Sequence, residues 1–279
     1  MGIPDGQAAA RLDAWLGEDA PYGDLTTELL GIETVPARIT FAARSGMVLA
    51  GVEAAAALLE RAGAYPRDVR RSGVPLAAGD AFLVAEGPAG ALHRAWKVAQ
   101  TLVEYAAGIA TAARRVVDAA GPDVVVACTR KSFPGTKAIS VEAVRAGGAV
   151  MHRLGLSETV LVFPEHRAFL DVAPAVWLAG LKARAPERKI VVETGDVADA
   201  VALARCGADV LQLEKLSPAE VAEVVAAVGA VAPLVLIAAA GGVDEANARA
   251  YARAGASVLV TSAPFFARPC DVQVKLTPS

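Results

Sequence analysis

The chain has 279 residues, a formal net charge of −3 and 54% hydrophobic residues, among which aromatic side chains are few. This length allows one large or two medium domains with a buried core. The acidic balance, without a basic tract, argues against binding to nucleic acid or to a membrane surface. The N-terminus lacks the pattern of a signal peptide, and three widely spaced cysteines without metal-ligand spacing indicate reduced thiols in a cytoplasmic protein.

The first part of the chain predicts a small α+β domain. Residues 36–51, "PARITFAARSGMVLAG", alternate between apolar and polar and turn at Ser45-Gly46, as antiparallel strands do. A helix over 52–62 and an apolar segment over 82–85 follow. A long helical pattern then covers about 90–120, in which Gly108 marks a candidate break.

The second part alternates short apolar strands with helical segments. The candidate strands are Val124–Cys128, Val160–Phe163, Ile190–Glu193, Val210–Glu214, Leu234–Ala238 and Val258–Thr261. Helices are predicted after Asp196, after Ser217-Pro218 and after Asp244. This repeat indicates a parallel sheet covered by helices, either an α/β barrel or an open doubly wound sheet. The uncharged run 224–243 reads as part of this sheet, because glycines and Pro233 interrupt it.

Polar residues follow the candidate strands at their carboxyl ends, where parallel α/β folds bind ligands. These residues are Arg130, Lys131, Glu193, Glu214, Gly241, Gly242, Thr261 and Ser262. Cations and a glycine turn suit phosphate, and paired carboxylates suit Mg²⁺ held together with substrate phosphates. Taken singly, each residue also fits a solvated loop or a helix cap, so the inference rests on their common placement.

Several motifs resemble the type II phosphoribosyltransferase family, whose best-known member is quinolinate phosphoribosyltransferase. They are "EDAPYGDLTT" (18–27), "AAGIAT" (106–111), "TRKSFPGTKAISVEAVRAGGAVMHRLGL" (129–156), "VETGD" (192–196) and "ADVLQLEKLS" (208–217). They cover nearly the whole chain in order. Other segments, such as "VLVFPEH" and "VTSAPFFARPCDVQVKL", are similar to the ModD branch, which is associated with molybdenum transport genes.

The resemblance implies an N-terminal open-faced α/β sandwich over 1–110, to which the tail 268–279 returns, and an incomplete TIM-like α/β barrel over 111–267. It implies a homodimer or higher oligomer whose active site takes residues from both subunits. It also implies a pentosyltransferase (pyrophosphorylase) that uses Mg²⁺ to transfer phosphoribose from phosphoribosyl pyrophosphate to a nitrogen-containing acceptor.

Position by position, the resemblance assigns roles to the candidate residues. Arg130, His152 and Arg153 match contacts to the acceptor acid, and Lys131 matches a residue near the phosphoribosyl donor. Glu193 and Glu214 match the acidic pair around ribose and Mg²⁺, although the family usually has Asp at the second position. Gly241-Gly242 match the 5′-phosphate turn, with Ala240 in place of Ser, and Ser262 replaces a Gly beside Thr261.

Two departures concern the acceptor. Tyr105 stands where quinolinate enzymes supply an Arg across the dimer interface, and Phe163 stands where they have a Lys. Each lost charge-assisted hydrogen bond is worth roughly 1.5–3 kcal/mol, so we expect an acceptor less anionic than quinolinate, against an aromatic wall. Three alternatives stay open: a quinolinate enzyme proper, a non-catalytic nucleotide or oxyanion-binding protein linked to molybdenum uptake, and a Schiff-base aldolase using Lys131 or Lys215.

Overall fold

A computed structural model describes residues 5–279 of the chain, and these residues form two compact units. The first unit contains the described residues up to Thr111, together with Phe133–Gly148 and Phe266–Ser279. The second contains Ala112–Ser132 and Ala149–Phe265. The chain therefore enters the second unit, returns to the first for one short segment, and ends in the first.

Helices and strands alternate along most of the chain. The first part of the chain holds α1 (Asp5–Asp19), α2 (Leu25–Leu30), β1 (Pro36–Ala43), β2 (Met47–Val48), α3 (Val52–Ala62), β3 (Tyr65–Val69), β4 (Pro75–Leu76), β5 (Ala81–Pro88) and α4 (Ala89–Ala120). The middle part holds β6 (Val125–Cys128), α5 (Lys137–Ala146), β7 (Val150–Met151), β8 (Val160–Val162), α6 (Pro164–Arg167), α7 (Pro174–Arg184) and β9 (Ile190–Thr194). The last part holds α8 (Val197–Arg205), β10 (Val210–Glu214), α9 (Pro218–Val231), β11 (Leu236–Ala240), α10 (Ala248–Arg253), β12 (Val258–Thr261), a 3₁₀ turn (Ala263–Phe266) and β13 (Val272–Pro278).

The first unit is an antiparallel sheet covered on one face by helices. Its strand order is β13-β1-β5-β3, and every pairing in it is antiparallel. The period-2 pattern of β1 places Ile39 and Phe41 in the core, where Leu58 of α3 and Leu92 of α4 are also fully buried. These elements confirm the expected N-terminal α/β sandwich.

The turn at Ser45-Gly46 does not join a hairpin, so that expectation was wrong. β1 pairs with β13 and β5 instead, while β2 pairs with the short strand β4 in a separate two-stranded sheet. The reason is that β1 buries one face and pairs on both of its edges with partners far away in sequence. Burial of one whole face of a strand decides which strands pair more strongly than a local turn sequence does.

Helix α4 runs without interruption for 32 residues, so the candidate break at Gly108 was also wrong. Gly108 lies against the tail that leads to β13: a Cβ placed there would be 2.5 Å from the carbonyl oxygen of Arg268. The tail is bonded to the same helix, since the Cys270 N–H donates to the Glu104 carbonyl at 2.9 Å. Gly108 is therefore a contact position inside a helix rather than a helix terminator.

The second unit is a seven-stranded parallel sheet of order β7-β6-β12-β11-β10-β9-β8. Read as a ring, this order follows the chain from β6 to β12 and returns to β6, with one neighbouring pair, β7 and β8, left without hydrogen bonds. The sheet is thus a barrel that is open between β7 and β8. The structure confirms the incomplete α/β barrel and decides against an open doubly wound sheet.

The barrel strands alternate between two buried faces. Leu211 and Leu213 of β10 are fully buried on one face, whereas Val210 packs with Ala238 of β11 and Val260 of β12 in an apolar cluster on the other. Ser217 begins α9 with a capping box to Glu220 and Pro at the first turn, as the sequence predicts. None of the helices within residues 5–279 combines the length and apolarity needed to cross a bilayer.

Two helix glycines allow the contact at Gly108 to be tested. Gly108→Ala pushes a methyl group into the Arg268 backbone, and overpacking of this kind costs about 1–3 kcal/mol of unfolding free energy. Gly229→Ala in α9 meets no atom within 4 Å and gains up to about 1 kcal/mol from helix propensity. Urea unfolding of both variants measures the difference, and equal effects would contradict the contact at Gly108.

Candidate active site

The carboxyl ends of the barrel strands carry almost all the side chains singled out in the sequence. Arg130 and Lys131 follow β6, and His152 and Arg153 follow β7. Phe163 follows β8, whereas Glu193 and Glu214 lie within the last residues of β9 and β10. Gly241-Gly242 follow β11, Thr261 ends β12, and Ser262 comes next. Because all these strands run parallel, the residues share one rim of the barrel.

One side of the rim is cationic and holds a buried guanidinium. Arg153 is only 6% exposed, and within residues 5–279 no carboxylate forms an ion pair with it. Burial, and then the neighbouring Arg130, lower the pKa of Arg153. A buried cation without an acidic partner is costly unless an anion binds beside it.

His152 belongs to the same side of the rim. Burial, and then Arg153, lower the pKa of this imidazole, which favours its neutral form. His152 therefore offers one hydrogen-bond donor and one acceptor rather than a further positive charge.

The open seam between β7 and β8 is bridged at the rim by a cation–π contact. The Arg153 guanidinium carbon lies 5.5 Å from the centroid of the Phe163 ring. The same ring stacks on His166 of α6, with centroids 5.6 Å apart and an interplanar angle of 16°. The sequence predicts that Phe163 forms part of an aromatic wall for the acceptor. In the structure its ring already contacts two neighbouring side chains.

The other side of the rim is acidic. Glu193 and Glu214 lie on adjacent strands, and the Gln212 amide donates to Oε2 of Glu193 at 2.6 Å. Burial raises the pKa of Glu193, and the negative charge of Glu214 raises it further. Lys131, which follows β6 at the same rim, lowers the same pKa although three strands of the sheet separate β6 from β9.

This acidic pair fits a magnesium ion. Clusters of three or more metal-ligating side chains are absent from the part of the chain that the structure describes. Mg²⁺, however, is usually held by one or two carboxylates together with substrate phosphates and water. A divalent cation between Glu193 and Glu214 would relieve the repulsion that raises the pKa of Glu193.

The turn after β11 is shaped by close packing. Gly241 and Gly242 have φ of 84° and 88°, and Lys215 (φ 61°) is the non-glycine residue with positive φ among residues 5–279. A Cβ at Gly241 would lie 2.6 Å from Cγ of Lys215 and 2.9 Å from Oε1 of Glu214. The absence of a side chain at Gly241 thus leaves room for the Glu214 carboxylate.

The helix after this turn starts later than predicted. The Asp244 carboxylate accepts from the N–H groups of Ala246 and Asn247, and α10 begins only at Ala248. These local side-chain bonds compete with helix formation. The glycine pair is therefore separated from the helix and does not lead into its first turn.

The two hydroxyls after β12 differ in their surroundings. The Thr261 hydroxyl donates to the Val243 carbonyl at 2.6 Å and accepts from the Ala263 N–H at 3.0 Å, in a side chain that is 2% exposed. Thr261 thereby ties β12 to the segment after the glycine turn. The Ser262 hydroxyl lies 2.8 Å from that of Thr129, at the end of β6.

Three further polar side chains lie in the first unit rather than in the barrel unit. Tyr105 is on α4 and is 61% exposed. Lys137 and Arg145, two cations within the motif 129–156, are on α5, which belongs to the first unit.

Sequence reasoning missed Gln212 and His166. In "VLQLE", Gln212 occupies the same face of β10 as Glu214, so its alternation with Leu211 and Leu213 was a usable signal. For His166 there was no such signal, because its contact with Phe163 depends on the short helix α6. The Phe163 N–H donates to Nδ1 of His166 at 3.0 Å, which leaves the proton of the neutral ring on Nε2.

The packing around Gly241 predicts unequal effects at two adjacent glycines. Both Gly241→Ala and Gly242→Ala strain a left-handed residue by about 1–2 kcal/mol. Only Gly241→Ala also displaces Lys215 and Glu214, which adds about 1–3 kcal/mol, since a methyl group on Gly242 would meet no atom within 4 Å. Urea unfolding checks the order, and a greater loss in Gly242→Ala would refute it.

The raised pKa of Glu193 predicts a pH-dependent gain in stability. A carboxyl whose pKa is higher in the folded than in the unfolded chain destabilises the fold when ionised, and this penalty fades as pH falls through the folded pKa. Glu193→Gln should therefore raise the melting temperature at about pH 7, with a smaller gain in acid. Glu223→Gln, on the exposed face of α9, controls for loss of a negative charge. Lower stability of Glu193→Gln at every pH would contradict the prediction.

Comparison with known families agrees with this arrangement. The model of the quinolinate phosphoribosyl transferase C-terminal domain matches residues 109–275, and the model of the N-terminal domain matches residues 24–107. In fold, the chain is similar to the crystal structure of NadC from Streptococcus pyogenes, with a TM-score of 0.90, 24% identity and 99% of each chain covered.

Curated relatives extend the likeness to sequence. "Putative pyrophosphorylase ModD" of Rhodobacter capsulatus is 48% identical over 250 residues, which cover 88% of this chain and 95% of the relative. The carboxylating "Probable nicotinate-nucleotide pyrophosphorylase" of Archaeoglobus fulgidus is 33% identical over 208 residues, which cover 74% of this chain and 78% of the relative. With both domain models matched in order along the chain, this protein belongs to the quinolinate phosphoribosyltransferase family.

Proposed function

We propose that the protein transfers phosphoribose from phosphoribosyl pyrophosphate to a nitrogen-containing acceptor that is less anionic than quinolinate, releasing pyrophosphate. The observation that carries the proposal is the buried Arg153, which lacks an acidic partner among the described residues and lies at the same rim as the Glu193–Glu214 pair. A ligand with an anionic group at one end and a metal-associated phosphoribosyl group at the other satisfies both sides.

The acidic side would serve the phosphoribosyl donor. Glu193 and Glu214 would hold Mg²⁺, which when bound neutralises charge on the departing pyrophosphate. Their remaining oxygens would accept hydrogen bonds from ribose hydroxyls and stabilise positive charge on the sugar as its bond to pyrophosphate breaks. Lys131, which lowers the pKa of Glu193, would place its ammonium beside the pyrophosphate.

The cationic side would hold the acceptor. Arg130 and Arg153 would bind its anionic group, and neutral His152 would donate or accept one hydrogen bond to fix its orientation. Most of the catalysis would then come from positioning the acceptor nitrogen against the sugar carbon. Gly241-Gly242 and Ser262 would border the 5′-phosphate, and Thr261 would hold that border in place.

The acceptor should carry fewer carboxylates than quinolinate. Phe163 carries no charge, and its ring contacts Arg153 and His166. The seam would therefore offer the acceptor one guanidinium, whereas quinolinate enzymes also have a lysine there. Tyr105, which the family resemblance assigns to the interface of a homodimer, supplies a phenol in place of a second cation. An aromatic acceptor with a single anionic group matches this site better than a dicarboxylate does.

Phosphorus NMR tests the reaction directly. We expect Mg²⁺-dependent release of pyrophosphate when phosphoribosyl pyrophosphate is mixed with the correct member of a panel of nitrogen heterocycles bearing one or no carboxylate. Arg153→Met, which removes the charge and keeps the length, should lower kcat/KM by about tenfold to a hundredfold. Tight binding of phosphoribosyl pyrophosphate without turnover on any acceptor would refute transfer and favour a binding protein.

Acceptor charge can be tested by restoring the missing cations. The double variant Tyr105→Arg, Phe163→Lys should gain about a hundredfold to ten-thousandfold in kcat/KM with quinolinate, because each of the two added charge-assisted hydrogen bonds is worth roughly 1.5–3 kcal/mol. Tyr105→Gln, Phe163→Gln is the matched control, since it removes the rings without adding charge. Efficient use of quinolinate by the unmodified protein would contradict the proposed acceptor class.

A further inference from the structure

Gln212 presents an amide to the inside of the barrel at the level of Glu193. It pairs in register with Glu193 on one side and with Ala238 on the other, and it is only 5% exposed. Leu211 and Leu213, which alternate with Gln212, face the opposite side of the sheet and are fully buried. A buried polar residue in this position requires partners for both ends of its amide.

One end of the amide is bonded within residues 5–279, and the other is not. Nε2 donates to Oε2 of Glu193 at 2.6 Å, whereas Oε1 is buried without a hydrogen-bond partner among residues 5–279. The orientation is not arbitrary, because an ionised carboxylate accepts hydrogen bonds and cannot donate them. The amide nitrogen must face Glu193, and Oε1 is left as a free acceptor.

The face of the sheet that carries Gln212 is otherwise largely apolar. Gln212 pairs in register with Ala238, which belongs to an apolar cluster formed by Ala238, Ala240 and Val260 together with Val210 and Val258. An ionised phosphate oxygen is itself only an acceptor, so it cannot form a hydrogen bond with Oε1. A neutral hydroxyl that can donate a hydrogen bond fits the free Oε1.

We propose that Gln212 is a substrate-positioning residue whose Oε1 accepts a hydrogen bond from a ribose hydroxyl while its Nε2 holds the Glu193 carboxylate. The assignment of the ligand as a ribose phosphate rests on the proposed function. The amide therefore couples the orientation of the sugar to that of the carboxylate that serves it. Gln212 acts on the reaction by fixing these two groups in one geometry.

A cycle of variants and sugars isolates this hydrogen bond. Ribose 5-phosphate, 2-deoxyribose 5-phosphate and 3-deoxyribose 5-phosphate are titrated with Mg²⁺ into the unmodified protein and into Gln212→Met, with phosphorus NMR as the readout. Methionine keeps the length of the side chain and removes the amide. We expect Gln212→Met to weaken binding of ribose 5-phosphate about threefold to tenfold and to leave binding of one deoxy sugar unchanged, because that sugar lacks the donating hydroxyl.

Two results would overturn the assignment. An equal loss for all three sugars would mean that Gln212 acts only through Glu193, and no loss for any would mean that its oxygen contacts no sugar hydroxyl. Gln212→Leu repeats the cycle if Gln212→Met does not fold. Thermal unfolding of each variant confirms that the comparison is made on folded protein.

The same titration separates the Gln212 hydrogen bond from the proposed function. If the unmodified protein binds ribose 5-phosphate and the variants bind it equally well, the Gln212 hydrogen bond is refuted and the phosphoribosyl donor stands. If the unmodified protein binds none of the three sugar phosphates, the donor is wrong and the role of Gln212 falls with it. If Gln212→Met weakens binding only of the sugars that keep the donating hydroxyl, and no acceptor is converted, the Gln212 hydrogen bond is supported and phosphoribosyl transfer is refuted.

Discussion

Parallel strand direction is the constraint on which the chemistry of the barrel unit depends. Because all seven strands of the sheet point the same way, every strand delivers its last side chain to one rim. The order around the ring follows the chain, so the segment after β6 and β7 forms one side, and the ends of β9 and β10 form the side across from it. Residues more than 80 positions apart in the sequence, such as Lys131 and Glu214, thereby influence the same carboxylate.

Positive and negative side chains lie on opposite sides of this rim, although burying charges without partners costs free energy. A guanidinium that is 6% exposed stands without an acid, and two carboxylates stand close enough for one to raise the pKa of the other. Another guanidinium of the barrel unit, that of Arg167, is paired and contacts both oxygens of Asp199 at 2.7 and 2.8 Å. The unpaired charges at the rim lower the stability of the fold, a cost that functional sites commonly carry.

Much of this could be predicted from the sequence. The strands β10 and β12, the helix α3 and the polar residues at the strand ends follow from period-2 patterns, β-branched runs and caps, because these are local signals. The predicted hairpin at Ser45-Gly46 and the break at Gly108 failed because β13, far away in sequence, decides both: it occupies the edge of β1, and its approach needs a helix glycine. Pairwise geometry, such as the contact of Gln212 with Glu193 or of Arg153 with Phe163, is set by tertiary packing that no local pattern encodes.

The unpaired seam between β7 and β8 has a consequence for how such a site diverges. Backbone hydrogen bonds fix the register of every other neighbouring pair, so an exchange there must preserve a ladder on both sides. At the seam the side chains of Arg153 and Phe163 meet, and no hydrogen-bond ladder between β7 and β8 has to survive their replacement. Mutations can therefore accumulate at the seam while the rest of the ring stays unchanged, which makes the seam a point at which related barrels can change the molecules that they bind.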